Sequence, residues 1–538
     1  MSFEEGEPDA GRDGARDPAS SNAPGTVHVP DFSRQGTPTA DSSALANKGL
    51  PSALGDDIQL ILGVTGTPYL HRSGPQQQPV LKLGSPECNG ELRRRLAEHG
   101  KVPKQKELQE LTDCLAAHAE LVNDRRDVWY RVAPAEGGCE IDLGDSAMTR
   151  VTIRDGEIAT HTQGSMTLFY RTPHMRPLPI PEPPGDLERL RRYLNLNAAD
   201  FRLVVAWISY TLCHAKAATS KFPILVLHGV QGSGKSWACR VIQALIDPSE
   251  ILLQSFPRNE QDLAIAAQYG HVLIYDNLRS LSTAMSDKLC IASTGGTFAT
   301  RKLFSDSGLV VLRLQAALVL NGIVSFVEQP DLAQRCLPVT LEPLEGARLR
   351  DEAAMVSEFE ADLPYIFQGL LDLIARVLRH LPTAEVVHPE RMLDFVRWLA
   401  AMEVAYGVEP GVYQLQYGDA LNEAMRESLE SVPLAVAVLS FMEGKNKWSD
   451  TPRALYLELE DRIDRRTSWS RDWPSNETAM GKQLRTLQAA LLRQGLAITF
   501  PRRRERTIVI RRIDSPSEPP VAGPAPPVEY DATTDRFI

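Results

Sequence analysis

Residues 223–246 read PILVLHGVQGSGKSWACRVIQALI. The opening stretch, Pro223–His228, is almost wholly apolar, the mark of a strand buried on both faces of a parallel sheet. The closing stretch, Trp237–Ile246, places apolar residues at helical spacing. Between them Gly229-Val230-Gln231-Gly232-Ser233-Gly234-Lys235-Ser236 fits the phosphate-loop pattern G-x-x-x-x-G-K-[ST]. The chemistry explains the residue types. Glycines let backbone N–H groups turn inward around phosphates at the positive end of a helix. Lys235 is placed to reach the β- and γ-phosphates, the Ser236 hydroxyl to ligate Mg²⁺, and Trp237 to extend the nucleotide-contacting stretch. The pattern implies binding of a nucleoside triphosphate, ATP with Mg²⁺.

Two further apolar runs end in polar residues. The first, Val272–Tyr275, leads into Asp276 and Asn277; the second, Ala317–Leu320, leads into Asn321. Ligands gather at the carboxyl ends of parallel strands, so Lys235, Asp276 and Asn321 are expected to converge. Asp276 would hold Mg²⁺ together with Ser236. Asn321 would orient the attacking water or sense the γ-phosphate, although a plain turn residue before Gly322 is the simpler alternative. Arg335 closes the phrase Pro330-Asp331-Leu332-Ala333-Gln334-Arg335. It is a candidate for stabilising phosphoryl transfer in a neighbouring subunit, which would make the active species a ring. A plain ion pair is its alternative reading.

In this order the elements resemble an AAA+ ATPase core of the superfamily-3 helicase kind, and more narrowly phage- and plasmid-type primase–helicase ATPases. The likeness covers roughly residues 187–344. The segment Thr294-Gly295-Gly296, followed by Phe298, Arg301, Lys302 and Phe304, is similar to that family's extra motif. In the family this motif leads into a hairpin facing DNA in the ring pore, so the resemblance implies DNA contacts for Arg301 and Lys302; on spacing alone they read as a solvated charged turn. The sequence departs from the family at Asn277, which stands where a second acid is expected. Asn cannot act as a general base but can orient a water. No primase constellation is recognisable, so the resemblance would extend to the helicase part only, with a separate primase or polymerase among the candidate partners.

The rest of the chain divides by composition. Residues 1–55 are rich in Gly, Pro, Ser, Ala and Asp and read as disordered. Residues 56–184 form a small α+β region of unassigned role, with a helix over Pro103–Val122 and strands near Asp127–Val132, Cys139–Leu143, Arg150–Ile153 and Met166–Tyr170. Trp129, Tyr130 and Phe169 there read as core residues rather than base-stacking platforms. A proline-rich connector, Pro173–Pro184, leads to the ATPase core at 185–345, a helical region at 346–432 and a compact unit at 433–513. That unit reads as three helices (Leu434–Met442, Arg453–Ile463, and Asn476–Gln494 capped by Ser475) and a hairpin, Leu496–Phe500 with Thr507–Arg511. It is similar to a winged helix, with Lys482 and Arg485 on the recognition helix and Arg502, Arg503, Arg504 and Arg506 on the wing. Its alternative is a protein-binding winged helix with solvated arginines. Nine basic residues against one acid lie between Lys482 and Arg512, within a chain of net charge −11. The tail, 514–538, is Pro-rich and reads as disordered.

The seven cysteines are scattered and form no C-x-x-C pair, which argues against a zinc site or a disulfide framework. No apolar run reaches the ~20 residues of a membrane span. The N-terminus opens with Glu4, Glu5 and Glu7, unlike a secretory leader. The expectation is a cytoplasmic protein without a membrane partner. The fold expected is α/β: a P-loop NTPase, AAA+-like three-layer core with a β-rich N-terminal region and a C-terminal winged-helix-like domain. The function expected is a DNA-dependent, ring-forming ATPase, a helicase or translocase of mobile-element origin acting on single-stranded or forked DNA. The alternative is a nucleotide-gated switch that does not unwind. A small-molecule kinase fits least, because it gives no reason for the basic C-terminal unit.

Overall fold

Four parallel strands organise the centre of the computed structural model: β1 (Ile224–His228), β2 (Val272–Leu278), β3 (Ala317–Gly322) and β4 (Cys336–Thr340). Their spatial order is β2-β3-β1-β4. Side chains alternate between two apolar clusters. Leu225, Leu227, Val272, Ile274, Val319 and Leu337 enter one. Ile224, Val226, Leu273, Tyr275, Leu318 and Leu320 enter the other. Strands buried on both faces in this way require cover on both, and helices supply it. On the first face lie α1 (Ala198–Cys213) and α2 (Lys235–Ile246), backed by the helices Glu352–His380 and Leu393–Tyr406. On the second lie the helix Glu260–Ala266 and α3 (Thr283–Thr294). The result is a three-layer α/β arrangement with a parallel sheet.

The structure describes residues 52–74, 78–301, 309–322, 326–344, 351–463, 470, 472–501 and 507–513, with short strands at 530–531 and 536–537. The disorder read for residues 1–55 falls almost wholly outside them, as does that read for 514–538. Among the described residues no helix is long and apolar enough to cross a membrane. The apolar run at Phe201–Cys213 belongs to α1, which is buried nearly all round. Strand β4 was not legible in sequence because Pro338 interrupts it. It is tolerated because β4 is an edge strand, where a missing N–H need not break a ladder.

The N-terminal region builds two four-stranded sheets and a short parallel pair, Val128–Trp129 with Leu168–Phe169. One holds Ile58–Gly63, Pro68–Arg72, Leu81–Lys82 and Arg125–Arg126 beneath the helices Pro86–Glu98 and Gln105–Val122. The other is an antiparallel meander, Val132–Ala135, Gly138–Asp142, Arg150–Arg154 and Glu157–His161, whose apolar side chains join the first-face cluster. The single strand expected over Asp127–Val132 is instead broken at Arg131, which has φ 61°. The break turns the Arg131 side chain inward, where it is fully buried. Its guanidinium bonds Asp247 at 3.0 Å and the carbonyls of Arg176 (2.8 Å), Leu143 (3.2 Å), Asp142 (3.3 Å) and Pro248 (3.3 Å). Asp247 caps the C-terminus of α2, an unfavourable place for an anion. Arg131 and the backbone N–H of His271, at 2.6 Å from Asp247, offset that cost.

The C-terminal unit contains the helices Pro433–Phe441, Pro452–Glu460 and Glu477–Arg493 and a three-stranded antiparallel sheet. Its strands are β5 (Lys447–Asp450), β6 (Leu496–Thr499) and β7 (Ile508–Arg512), with β7 central. The sequence reading missed β5, whose one apolar residue, Trp448, gives no alternation; its ring packs edge-on against Phe441 at 5.7 Å. The cap of the third helix is Asn476, not Ser475: its side chain accepts from the N–H groups of Thr478 and Ala479.

Removing Arg131 strands a buried carboxylate. Arg131→Ala should lower stability by about 3–5 kcal/mol, read from the shift of the denaturation midpoint, whereas Arg131→Met with Asp247→Leu should recover most of the loss. A neutral single variant would refute the anchoring role.

Candidate functional site

The loop after β1 runs straight into α2, so the first backbone N–H groups of the helix face the loop's interior. Gly229 permits a close crossing. A Cβ there would stand 2.6 Å from Ser233 Oγ and 2.9 Å from the Leu341 carbonyl, at a φ of +148°. Lys235 folds back over the loop, its Nζ donating to the carbonyls of Gly229 at 2.8 Å and Val230 at 2.9 Å. Burial lowers the Lys235 pKa, and Asp276 partly restores it.

Strands β1, β2 and β3 present their carboxyl ends on the same edge of the sheet, and the polar residues that follow meet there. Ser236 Oγ donates to Asp276 Oδ2 at 3.0 Å. The other carboxylate oxygen, Oδ1, is buried with no hydrogen-bond partner among the described residues. A bulge between Tyr275 and Leu278 puts Asn277 at φ 58°, a conformation Asn tolerates better than most side chains. The Asn277 backbone N–H donates to Asn321 Oδ1 at 3.1 Å, and Asn321 Nδ2 donates to Cys239 Sγ at 3.2 Å. Asn321 is fully buried with both ends of its amide engaged. In this geometry it clamps β2 to β3 and to α2, rather than lying open to a water as expected.

Three neighbours were not singled out from sequence. His228, the last residue of β1, is held neutral by burial and by Lys235, its pKa pushed down to about 4. Cys239, one turn beyond Lys235 on α2, receives the Asn321 amide; burial raises its thiol to about 12. Gln254 accepts the Asp276 N–H through its carbonyl at 3.0 Å, a one-residue bridge beside β2. Helical spacing from Lys235 was the only sequence signal for Cys239, and a lone bridge leaves none for Gln254.

Arg335 does not join this group. Its carbonyl accepts from the N–H of Ile224, at the opposite end of β1 from the loop. At ~3.3 Å per residue, five residues of strand separate it from its own loop. Its guanidinium pairs with Asp331 at 2.6 Å, Asp331 in turn pairs with Arg391, and Arg335 Nε is buried without a partner among the described residues.

The expected hairpin forms from Gly296–Arg301 and Leu309–Leu314. Lys302 lies outside the described residues, as does the side chain of Arg301. In the C-terminal unit, Met480, Leu484, Leu487 and Leu491 line the buried face of the third helix, which leaves Lys482 and Arg485 on its exposed face. The Arg485 guanidinium lies 4.4 Å from the centroid of the Phe500 ring. Arg502, Arg503, Arg504 and Arg506 lie outside the described residues. Arg493 and Arg512 are engaged within the chain, Arg493 with Glu390 and Asn422, Arg512 with the Met442 carbonyl. Among the described residues no three His, Cys, Asp or Glu side chains cluster as a metal site.

Residues 187–423 match the family model of the actinomycete integrative conjugative element replication protein, and residues 434–524 match that of the RepA C-terminal domain of the same elements. Among curated proteins there is no match. Two solved structures are similar, both described as A-form apo structures of the NrS-1 C-terminal region. The first is 10% identical at a TM-score of 0.37, covering 86% of this chain and 98% of that one. The second, of residues 305–718, is 12% identical at 0.35, covering 88% and 100%.

His228 and His271 are both buried neutral, His271 also at about 4, with its Nε2 facing the Thr211 carbonyl at 2.8 Å. Both pKa values are depressed on folding, so the unfolded chain takes up protons first. The stability this contributes is full above pH ~6.5 and lost as pH falls toward 4. His271→Gln keeps a donor for Thr211 and should flatten the acid limb of a plot of unfolding midpoint against pH; an unchanged limb would refute the assignment.

Proposed function

We propose that the chain is a mobile-element replication protein, as the family matches over residues 187–423 and 434–524 support, and that it works as a Mg²⁺-dependent, DNA-stimulated ATPase that moves along DNA as a ring. The observation that carries this reading is the convergence of Lys235, Ser236 and Asp276 at the carboxyl ends of parallel strands. The residues fit the group they would hold. A hydroxyl and a carboxylate already in contact, with Asp276 Oδ1 buried and unpartnered among the described residues, are the hard oxygen donors that Mg²⁺ takes when phosphates and waters complete its shell. Bound there, Mg²⁺ would neutralise charge on the β- and γ-phosphates.

The chain's own residues would do the rest. The loop from Gly229 to Trp237 offers its N–H groups to the phosphates, and Lys235 exchanges its two loop carbonyls for phosphate oxygens. Asn277 and Asn321 set the shape of the edge where a water would attack. Arg335, at the far end of β1 and paired with Asp331, would leave that pairing to serve a neighbouring copy. This part of the chain is read as a P-loop, AAA+-like core of the superfamily-3 kind. The C-terminal unit is read as a winged helix that meets DNA through Lys482, Arg485 and the arginines of the β6–β7 connection, while Arg301 and Lys302 meet the strand from the hairpin.

A second reading is favoured by one observation. Asn277 holds the position where a carboxylate base is expected. A nucleotide-gated switch, which binds ATP, assembles and recruits partners without unwinding, would need no such base.

Steady-state ATP hydrolysis with and without single-stranded DNA, at low and moderate salt, separates the two. The motor reading expects strong stimulation that Lys235→Ala abolishes; hydrolysis indifferent to DNA would favour the switch. Arg335→Ala should lose on the order of 10³-fold in turnover while still binding ATP. Mixing it with Lys235→Ala subunits should restore part of the activity, because each copy lends what the other lacks. Full activity in Arg335→Ala alone would refute the ring.

A further inference from the structure

Where the N-terminal region closes on the core, a cleft of about 110 Å³ opens beside the base of the hairpin. It is smaller than the ~150 Å³ cavity that encloses a benzene-sized ring, so a planar ring would enter it only in part, its remainder lying outside the mouth. Its N-terminal wall is aromatic, formed by Tyr69, Trp129, Tyr130 and Tyr170. The rings of Tyr69 and Tyr170 lie 5.9 Å apart and are tilted by 59°, so they are not stacked on each other. Trp129, read as a core residue, is half-buried: it packs against the first-face apolar cluster and also borders the cleft.

The opposite wall comes from the core and is cationic. Lys216 follows α1 and donates to the carbonyls of Ala267 at 2.7 Å and Gly270 at 2.8 Å, with its Nζ 5.5 Å from the centroid of the Tyr130 ring. Arg313, on the return strand of the hairpin, donates to the Lys216 carbonyl at 2.8 Å.

A buried amide completes the site. Gln315 is 1% exposed, and its Nε2 donates to the carbonyls of Ala217 and Ser220, both at 2.7 Å. Those bonds fix the amide's orientation, because reversing it would set an acceptor against two carbonyls. Its Oε1 is left without a partner among the described residues. An acceptor buried in that state calls for a donor from outside the chain. The Thr294-Gly295-Gly296 turn backs the arrangement: Gly295 sits at φ +83°, and a Cβ there would stand 3.3 Å from Gln315 Nε2.

We propose that this cleft receives one unstacked base of single-stranded DNA, its ring against the aromatic wall, an N–H of its edge donating to Gln315 Oε1, and its phosphate toward Lys216 and Arg313. Bases stack on aromatic side chains without regard to sequence, and cations beside them track the backbone. The cleft would hold the strand at the foot of the hairpin, apart from the nucleotide loop. The inference rests on the reading of the protein as DNA-binding.

The test uses the full chain without ATP and a short oligonucleotide carrying 5-iodouracil, irradiated and mapped by mass spectrometry. Adducts on Tyr69, Trp129 or Tyr170 are expected. Tyr69→Leu with Tyr170→Leu should weaken oligonucleotide binding on the order of tenfold. The loss should be equal at low and moderate salt, because stacking releases no counterions. DNA-free ATP hydrolysis should not change, and the variant should still melt in one cooperative step. If that variant fails to fold, the adduct map on the unaltered protein decides alone. Adducts confined to other regions, with binding intact, would overturn the cleft and leave the DNA reading standing. Absence of any oligonucleotide binding would overturn both. Loss of the cleft adducts to a competing mononucleotide at concentrations that leave the strand bound would show a free-nucleotide pocket and overturn the strand assignment.

Discussion

Parallel strands buried on both faces impose a direction on everything attached to them. Every strand of the central sheet leaves its last residue on the same edge, so Lys235, Asp276 and Asn321 meet there although 86 residues of chain separate the first from the last. The price of that geometry is that both faces must be covered. One face is closed by α1 and α2 with the N-terminal meander, the other by α3 and the C-terminal unit. The flanking regions are therefore walls of the core rather than appendages to it.

Within the edge, the polar contacts form one chain. Ser236 holds Asp276, the residue after Asp276 is held through its backbone by Asn321, and Asn321 holds Cys239 on the same helix as Ser236. Because the chain closes on α2, the helix cannot shift along its axis without disturbing both strands. Packed side chains with few alternative arrangements respond to such a shift as a unit rather than by gradual deformation. The phosphate end of α2 and the Asp247 anchor at its other end are thereby coupled by a rigid element.

Much of this was legible in the sequence, and for a physical reason. The loop signature works because few residue types can turn backbone N–H groups inward, and the strands β1, β2 and β3 announce themselves as unbroken apolar runs. Legibility failed where a local rule was overridden from a distance. Pro338 hides β4 because only the edge position makes it tolerable. Arg131 breaks an otherwise convincing strand because its partner, Asp247, is 116 residues away. Trp129 and Tyr130 look like core, and Tyr130 is buried; but whether an aromatic ring fills a core or walls a cleft depends on what stands opposite, and Lys216, Arg313 and Gln315 arrive from another part of the chain. The clamp role of Asn321 has the same origin, since its partners lie on β2 and α2.

The second-face cluster runs without interruption from the central sheet into the C-terminal unit. Ile224, Val226 and Leu320 share it with Leu434, Val438, Leu484 and Ile510. Met425 and Leu429, on the helix ending at Glu430, and Leu434, on the helix starting at Pro433, bridge the junction. A cut between those two helices, the natural place to divide the chain by its linear map, would bare an oily seam on both fragments. Each would then tend to clump with its own kind instead of staying dispersed. Modularity along the sequence thus does not carry over into separability in space.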